Sequence, residues 1–188
     1  LSAQFEHTVL VTADGVQVLT LRADEVDHRD ATLGADRFDL EAGTLDNTGG
    51  RIIASGEGAS RIHATTLGNA GGTLASNGDL MLQAQTLDNS AGKIQHAGSG
   101  QLQVRAQTLL GSGGSVLSNG TFVLEGKTLD LSKATTSARR IDINADSLTT
   151  AGGALTATGE EALRLRVQGL LYNRGGSMHS SALLDKTA

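Results

Sequence analysis

The chain has no cysteine, no proline and no tryptophan, and its aromatic side chains are three phenylalanines and one tyrosine. Each shortage excludes something. Without cysteine there is no disulfide framework. Without proline no residue lacks a backbone N–H, which suits a chain whose amides are committed to inter-strand ladders. So few aromatics leave scarce platforms on which sugars could stack. No run of 18 apolar residues occurs, so no helical membrane span is expected. The 15 basic and 20 acidic residues are interspersed, for a net charge of −5. That pattern disfavours nucleic acid, whose binding rests on clustered Lys and Arg. Arg139-Arg140 is the one adjacent Lys/Arg pair, and it reads as a solvated outer face.

What is abundant is glycine, 25 residues that recur in register. Thr-Leu-Asp-Asn occupies residues 44–47 and returns at 86–89, with weaker copies between and after. The leucines of the copies are Leu45, Leu67, Leu87, Leu109, Leu129, Leu148 and Leu171, at steps of 22, 20, 22, 20, 19 and 23 residues. A period in the twenties is the mark of a solenoid, in which each repeat buries its apolar face by stacking on the next. Turn blocks follow the leucines, such as Asn47-Thr48-Gly49-Gly50, Asn69-Ala70-Gly71-Gly72, Asn89-Ser90-Ala91-Gly92 and Asn173-Arg174-Gly175-Gly176. Asn and Gly reach left-handed backbone angles cheaply. One apolar residue comes next (Ile52, Leu74, Ile94, Val116, Leu155, Met178), then a second turn such as Ser76-Asn77-Gly78 or Ser118-Asn119-Gly120. An alternating strand completes the repeat, with inward triplets such as Leu80, Leu82 and Ala84 or Leu102, Val104 and Ala106. The small last residue suits a crowded corner.

No window has helical periodicity, and corresponding strands of successive coils must run parallel. Parallel crossovers are right-handed in nearly all cases. The expectation is an all-β fold: a right-handed parallel β-helix of about eight to nine coils of 19–23 residues, each with three short strands and three turns. Residues 1–188 form a single segment, with clear repeats over 45–178 and less regular coils over 1–44. Leu129–Ser137 lacks the Asn-x-Gly-Gly block and predicts a different corner, and the extra residue at Leu170-Leu171 predicts a bulge. Neither end looks like the polar cap a solenoid needs, so the chain is expected to be cut from a longer rod.

Leu-Asp-Asn-x-Gly-Gly-x-Ile, a small-residue turn and then Leu-x-Leu-x-Ala-x-x-Leu resemble the repeats of filamentous haemagglutinin. The wider group is the exoproteins of two-partner secretion systems, both adhesins and contact-dependent inhibition effectors. The best copies are Leu45–Ile52, Leu87–Ile94 and Leu171–Met178, and the likeness covers residues 26–178 well and 1–25 loosely. The resemblance implies a shaft segment of a secreted filament on the surface of a Gram-negative bacterium. The secretion domain of such proteins carries Asn-Pro motifs, which a chain without proline cannot have. The implied partners are the rest of its own filament at both ends and an outer-membrane secretion partner for the full-length protein. A host-cell glycan or receptor is a further candidate.

Several side-chain columns could carry function instead. Asn47, Asn69, Asn89 and Asn173 could bind a ligand along the rod; the alternative is an Asn stack that satisfies turn backbone groups. Asp46, Asp88 and Asp130 recur at steps of 42 residues. Carboxylates two coils apart, about 9.6 Å, cannot share a calcium ion, so they read as a polar face on which like charges skip a coil. His7, His28, His63, His96 and His179 show no His-x-His or His-x-x-x-His spacing. Asp142 with Asp146, and Glu160-Glu161, are the carboxylate pairs a β-helix lyase or hydrolase could use. Neither has an apolar pocket to raise a pKa, nor a long loop over it. No catalytic residue, cofactor or metal is expected. The favoured role is structural, with a ligand-binding rod face second and an enzyme last.

Overall fold

The computed structural model describes residues 6–12, 15–161 and 163–181, and these form a parallel β-solenoid with no helix among them. The strand β1 (Glu6–Thr12) precedes eight coils. Coil 1 contains β2 (Gly15–Asp27) and β3 (Thr32–Ala35), coil 2 β4 (Arg37–Asp46) and β5 (Arg51–Ala54), and coil 3 β6 (Ser60–Gly68) and β7 (Thr73–Ser76). Coil 4 contains β8 (Leu80–Asp88) and β9 (Lys93–His96), and coil 5 β10 (Gln101–Leu110) and β11 (Ser115–Ser118). Coil 6 contains β12 (Thr121–Asp130) and β13 (Thr135–Ala138), and coil 7 β14 (Arg140–Thr149) and β15 (Ala154–Ala157). Coil 8 has β16 (Arg164–Val167), β17 (Leu171–Tyr172) and β18 (Ser177–Ser180). The long strands stack in the order β1-β2-β4-β6-β8-β10-β12-β14-β16, with β17 also on β14; the short strands form a second sheet from β3 to β18. Seven steps at the inter-strand spacing make a rod of roughly 34 Å.

The alternation places the core. Along β10, Leu102, Val104, Ala106 and Leu109 are buried while Gln101, Arg105 and Gln107 are exposed. Equivalent residues then stack coil on coil. Leu45, Leu67, Leu87, Leu109, Leu129 and Leu148 are all at most 3 % exposed. Leu171 is the exception. It pairs in register with Leu148 but is 43 % exposed, so the column's expected seventh member lies on an end rung rather than in the core.

Two expected corners prove different. The crowded third corner is a bend inside one strand, not a turn between two. Pairing between β4 and β6 runs to Ala42↔Ala64, omits one rung and resumes at Thr44↔Thr66. One missed rung does not end a ladder, so each coil contributes two ladders rather than three. The corner after Leu129 has the same geometry as its neighbours: Ala134 N donates to Leu131 O at 3.1 Å, as Gly114 N does to Gly111 O at 3.0 Å. Its left-handed residue is Lys133 (φ 56°), in the place taken elsewhere by Gly49, Gly71 and Gly113 (φ 67°, 62° and 68°). A non-glycine there costs roughly 1–2 kcal/mol. Lys133 still makes the inter-coil bond of the glycines it replaces, Lys133 N to Ala151 O at 2.8 Å, as Gly113 N does to Ser132 O. Asp30 and Ala91 make the same substitution. The next corner residue must be small for another reason: a Cβ at Gly72 or Gly92 would run into the Asn47 or Asn69 carbonyl oxygen one coil back.

Up to coil 7, coil length varies at one place. From the inward residue near the end of the long strand to that of the short strand there are seven steps in each coil, as in Leu45 to Ile52, Leu129 to Thr136 and Leu148 to Leu155. The second corner absorbs the differences: eight steps from Ala54 to Ile62, six from Ser76 to Leu82, eight from His96 to Val104 and five from Ala138 to Ile143. The extra residue of the last coil falls between Val167 and Leu171, where three steps on β14 face four.

The start of the chain departs from the expected coils. β1 pairs antiparallel with β2, from Glu6↔Arg22 to Thr12↔Gly15, with a register shift at Leu10/Val11. It therefore adds no coil and covers the open edge of the long-strand sheet, as edge protection requires.

Candidate functional site

The asparagine column lies inside the rod. Asn47, Asn69 and Asn89 are buried. Asn47 Nδ2 donates to Asn69 Oδ1 and Asn69 Nδ2 to Asn89 Oδ1, both at 2.7 Å. Each amide also reaches the carbonyl three residues on, as Asn69 Nδ2 does to Gly72 O at 3.4 Å, and Asn69 reaches Lys93 O at 3.3 Å. His28 occupies the same place in coil 1, with Nδ1 2.8 Å from Asn47 Oδ1. Beyond Asn89 the column continues as Gly111, Leu131 and Thr150, and the Leu131 side chain fills the space beside Gly111. Asn173 is separated from the other three asparagines and accepts from Thr150 Oγ1 at 2.9 Å. The amides of the ladder are spent on one another and on corner carbonyls.

This gives a stability prediction. Asn69→Ala leaves Asn47 Nδ2 without its shortest partner and Asn89 Oδ1 without a donor. Asn47 Nδ2 keeps longer bonds of 3.3 Å to Gly50 O and Thr73 O, so at about 1–3 kcal/mol for a buried group left unpaired the loss should be roughly 1–3 kcal/mol. Asn119→Ala removes one exposed bond, Nδ2 to Ala97 O at 3.0 Å, and should cost less than about 1 kcal/mol. Urea melts of both variants check the difference.

The aspartates outside this corner have a local role. Asp46 Oδ1 accepts from Thr48 N at 2.9 Å, Asp88 Oδ1 from Ser90 N at 2.8 Å and Asp130 Oδ1 from Ser132 N at 2.8 Å. These are Asx turns that fix the chain's entry to the corner. Between these three the column places Gly68 and Leu110, which carry no charge. Asp27 and Asp46 break the spacing, being stacked in adjacent coils. There Arg29 lies between them, Nη2 2.6 Å from Asp27 Oδ2 and Nε 3.7 Å from Asp46 Oδ2. Its hydrogen bond holds the Asp27 carboxyl down at about 2.

The outer face at the bend forms an axial groove. One stretch, of about 510 Å³, is lined by Arg22, Asp24, Glu41, Gly43, His63 and Thr65. The next, about 460 Å³, shares His63 and Thr65 and runs on past Gln83, Gln85, Arg105 and Lys127. Two of its arginines are paired: Arg22 Nε lies 3.3 Å from Glu41 and Arg105 Nε 2.7 Å from Glu125. One carboxylate of each candidate pair is tied to arginine. Arg140 holds Glu161 at 2.7 Å and Asp142 at 3.5 Å, and Arg166 holds Asp142 at 3.3 Å. Asp146 and Glu160 are exposed. His63 and His179 are exposed, and the side chain of His7 lies outside the described residues. Among the described residues no three His, Asp or Glu side chains are grouped as a metal would require.

His96 is the residue the histidine inventory passes over. It is 2 % exposed, inside the rod. Aligning Lys93-Ile94-Gln95-His96 on Thr73-Leu74-Ala75-Ser76 reveals its inward phase. Thr136 is another buried polar residue, standing where other coils place Ile94, Val116 or Leu155.

No curated protein and no solved structure matches the chain. The haemagglutinin repeat family model matches residues 11–57, 56–103 and 97–175, nearly the whole of the stacked region. Such repeats make up filamentous, adhesin-like shafts and are typical of secreted or cell-surface bacterial proteins. With its buried leucine column, Asx-turn corners and three successive matches, this chain belongs to the haemagglutinin repeat family.

Proposed function

We propose that the chain is a load-carrying spacer in a secreted filament of a Gram-negative bacterium, holding an adhesive or effector region away from the cell. The observation that supports this most is the unbroken register. Every long strand from β2 to β14 pairs in parallel with the next, and the short strands do the same from β3 to β18. Tension along the rod axis is then shared by many ladder hydrogen bonds at once. The small enclosed space in coils 4–6, about 10 Å³, is lined mostly by Ile94, Val104, Leu109, Val116, Phe122 and Leu131. Leu170, Leu171 and Tyr172 are exposed on the last rung. In this reading a further coil of the same filament stacks there. The parent filament would leave the cell through an outer-membrane secretion partner.

An exchange tests the reading. Within the parent filament, these coils are replaced by an equal number from an unrelated parallel β-helix. If the segment is a spacer, adhesion or delivery is kept, and deleting coils shortens the reach by about 4.8 Å each. Loss of adhesion in a filament that still reaches the cell surface at full length would show that the rod face itself binds, and would overturn the proposal.

A further inference from the structure

We propose that His96 is an acid-sensitive latch on the second corner of coil 4. Buried as a neutral imidazole, it keeps the Ala97–Gln101 segment packed on the rod, and its protonation releases that corner. The column to which it belongs is otherwise built from small residues: Ala35, Ala54, Ser76, Ser118, Ala138 and Ala157. A ring in such a column is held from both sides. Its Nδ1 lies 2.8 Å from Ser118 Oγ in coil 5. That oxygen already accepts from Gly120 N at 3.1 Å, so its hydroxyl hydrogen is free to go to Nδ1. The opposite nitrogen, Nε2, meets no hydrogen-bonding partner among the described residues. It faces the corner at Gly98, where a Cβ would sit 3.0 Å from it.

The corner is built to open. At eight steps it is one of the longest in the rod, and it carries Gly98 and Gly100 around Ser99. Asp79 Oδ1, one coil back, fastens its end through Gln101 N at 2.8 Å. With Nδ1 accepting, the neutral ring carries its proton on Nε2; protonation adds an N–H at Nδ1, which the Ser118 hydroxyl can no longer face with its own hydrogen, and places a charge where there is little water, a combination that is costly to bury. Coil 3 places Ser76, Asn77, Gly78 and Asp79 against this region, and coil 5 places Ser118, Asn119, Gly120 and Thr121. Asp79 is the one charged group among them. Burial pulls the imidazole below its usual 6.5, and Asp79 opposes this in part. The sign follows. The closed corner's stability is fully present above about 6.5, and it is lost as the pH falls from there through the lower folded value.

The test is local, because His28 also lies half-buried, three coils away. The His96 ring resonances are followed in the intact chain, assigned by their disappearance in His96→Ser, and amide hydrogen exchange of residues 97–101 is measured across the same pH range. We expect the ring to titrate below 6.5 and protection of residues 97–101, corrected for intrinsic exchange, to fall by up to about tenfold per pH unit in acid. In His96→Ser that protection should stay level. A ring that titrates at or above 6.5, or equal loss of protection in the variant, overturns the proposal. Should His96→Ser not fold, the ring titration and exchange profile of the unaltered chain still decide it, since protection that is flat with pH refutes the latch.

Discussion

Removing residues 66–85 should leave a rod that still folds, whereas removing residues 66–75 should not, although the second deletion is half the size. The larger one excises one coil along its own register. Thr66, Leu67 and Asn69 pair with Thr86, Leu87 and Asn89 of the next coil. The new junction, Thr65 to Thr86, therefore continues every column. Leu87 takes the place of Leu67 between Leu45 and Leu109, and Asn89 can accept from Asn47 in place of Asn69. One rung of contacts is lost, and in a solenoid stability is close to a sum of repeat and neighbour terms. The smaller deletion joins Thr65 to Ser76, which discards the Asn69 corner and the start of β7 while keeping the rest of the coil. Downstream columns then no longer meet those upstream, and several rungs of leucine lose burial at about 1.5–3 kcal/mol each. Thermal melts separate the two, with the whole-coil variant expected close to the parent. A whole-coil deletion that melts below the half-coil deletion would mean that the stacking unit is not the repeat.

Most of this architecture is legible because a solenoid writes the same physical demand again and again. One Leu-x-Leu-x-Ala is weak evidence, but several in register fix both the inward phase and the stacking partner, as with Leu82, Val104 and Leu124. The constant seven steps from the leucine to the inward residue of the short strand mark a corner with one geometry, even where Leu131-Ser132-Lys133-Ala134 disguises it and the inward residue is Thr136. Other features depend on neighbours that a repeat pattern does not identify. Alternation looks the same in either chain direction, so β1 reads as a coil fragment although it runs antiparallel. Column membership says where Leu171 stands, but burial depends on whether a rung lies beyond it. Residue type misleads at His96, where a titratable side chain occupies an inward place. On the outer face, nothing in the repeat reveals that Arg29 would lie between Asp27 and Asp46. That pairing depends on a two-residue offset across one corner.

Leu109→Asp should loosen the middle of the rod, whereas Gln103→Asp, on the same strand, should be nearly silent. Leu109 is 3 % exposed, stacked between Leu87 and Leu129 and close to Ile94, Val104, Val116 and Phe122. Truncation of a buried leucine alone costs about 2–5 kcal/mol. The carboxylate adds a desolvation penalty of several kcal/mol, because the one polar side chain lining the same small space is that of Asn89, already used by the ladder. The sum rivals the whole stability of an ordinary domain, about 5–15 kcal/mol. Coils 4–6 should then open as a unit while the outer coils keep their ladders. Gln103 has the outward phase beside Met81 and Val123, where a carboxylate keeps its water. The pH dependence identifies the cause. A buried Asp has its folded pKa raised above about 3.9, so it gains stability in acid and loses it as pH rises through the folded value. Leu109→Asp should therefore recover toward Leu109→Asn near about pH 4 and fall below it at neutral pH. Hydrogen exchange of the β10 and β12 amides, compared across both variants and Gln103→Asp, measures this. Equal loss of protection in Leu109→Asp and Gln103→Asp would mean that the inward and outward phases of β10 are not distinguished by burial.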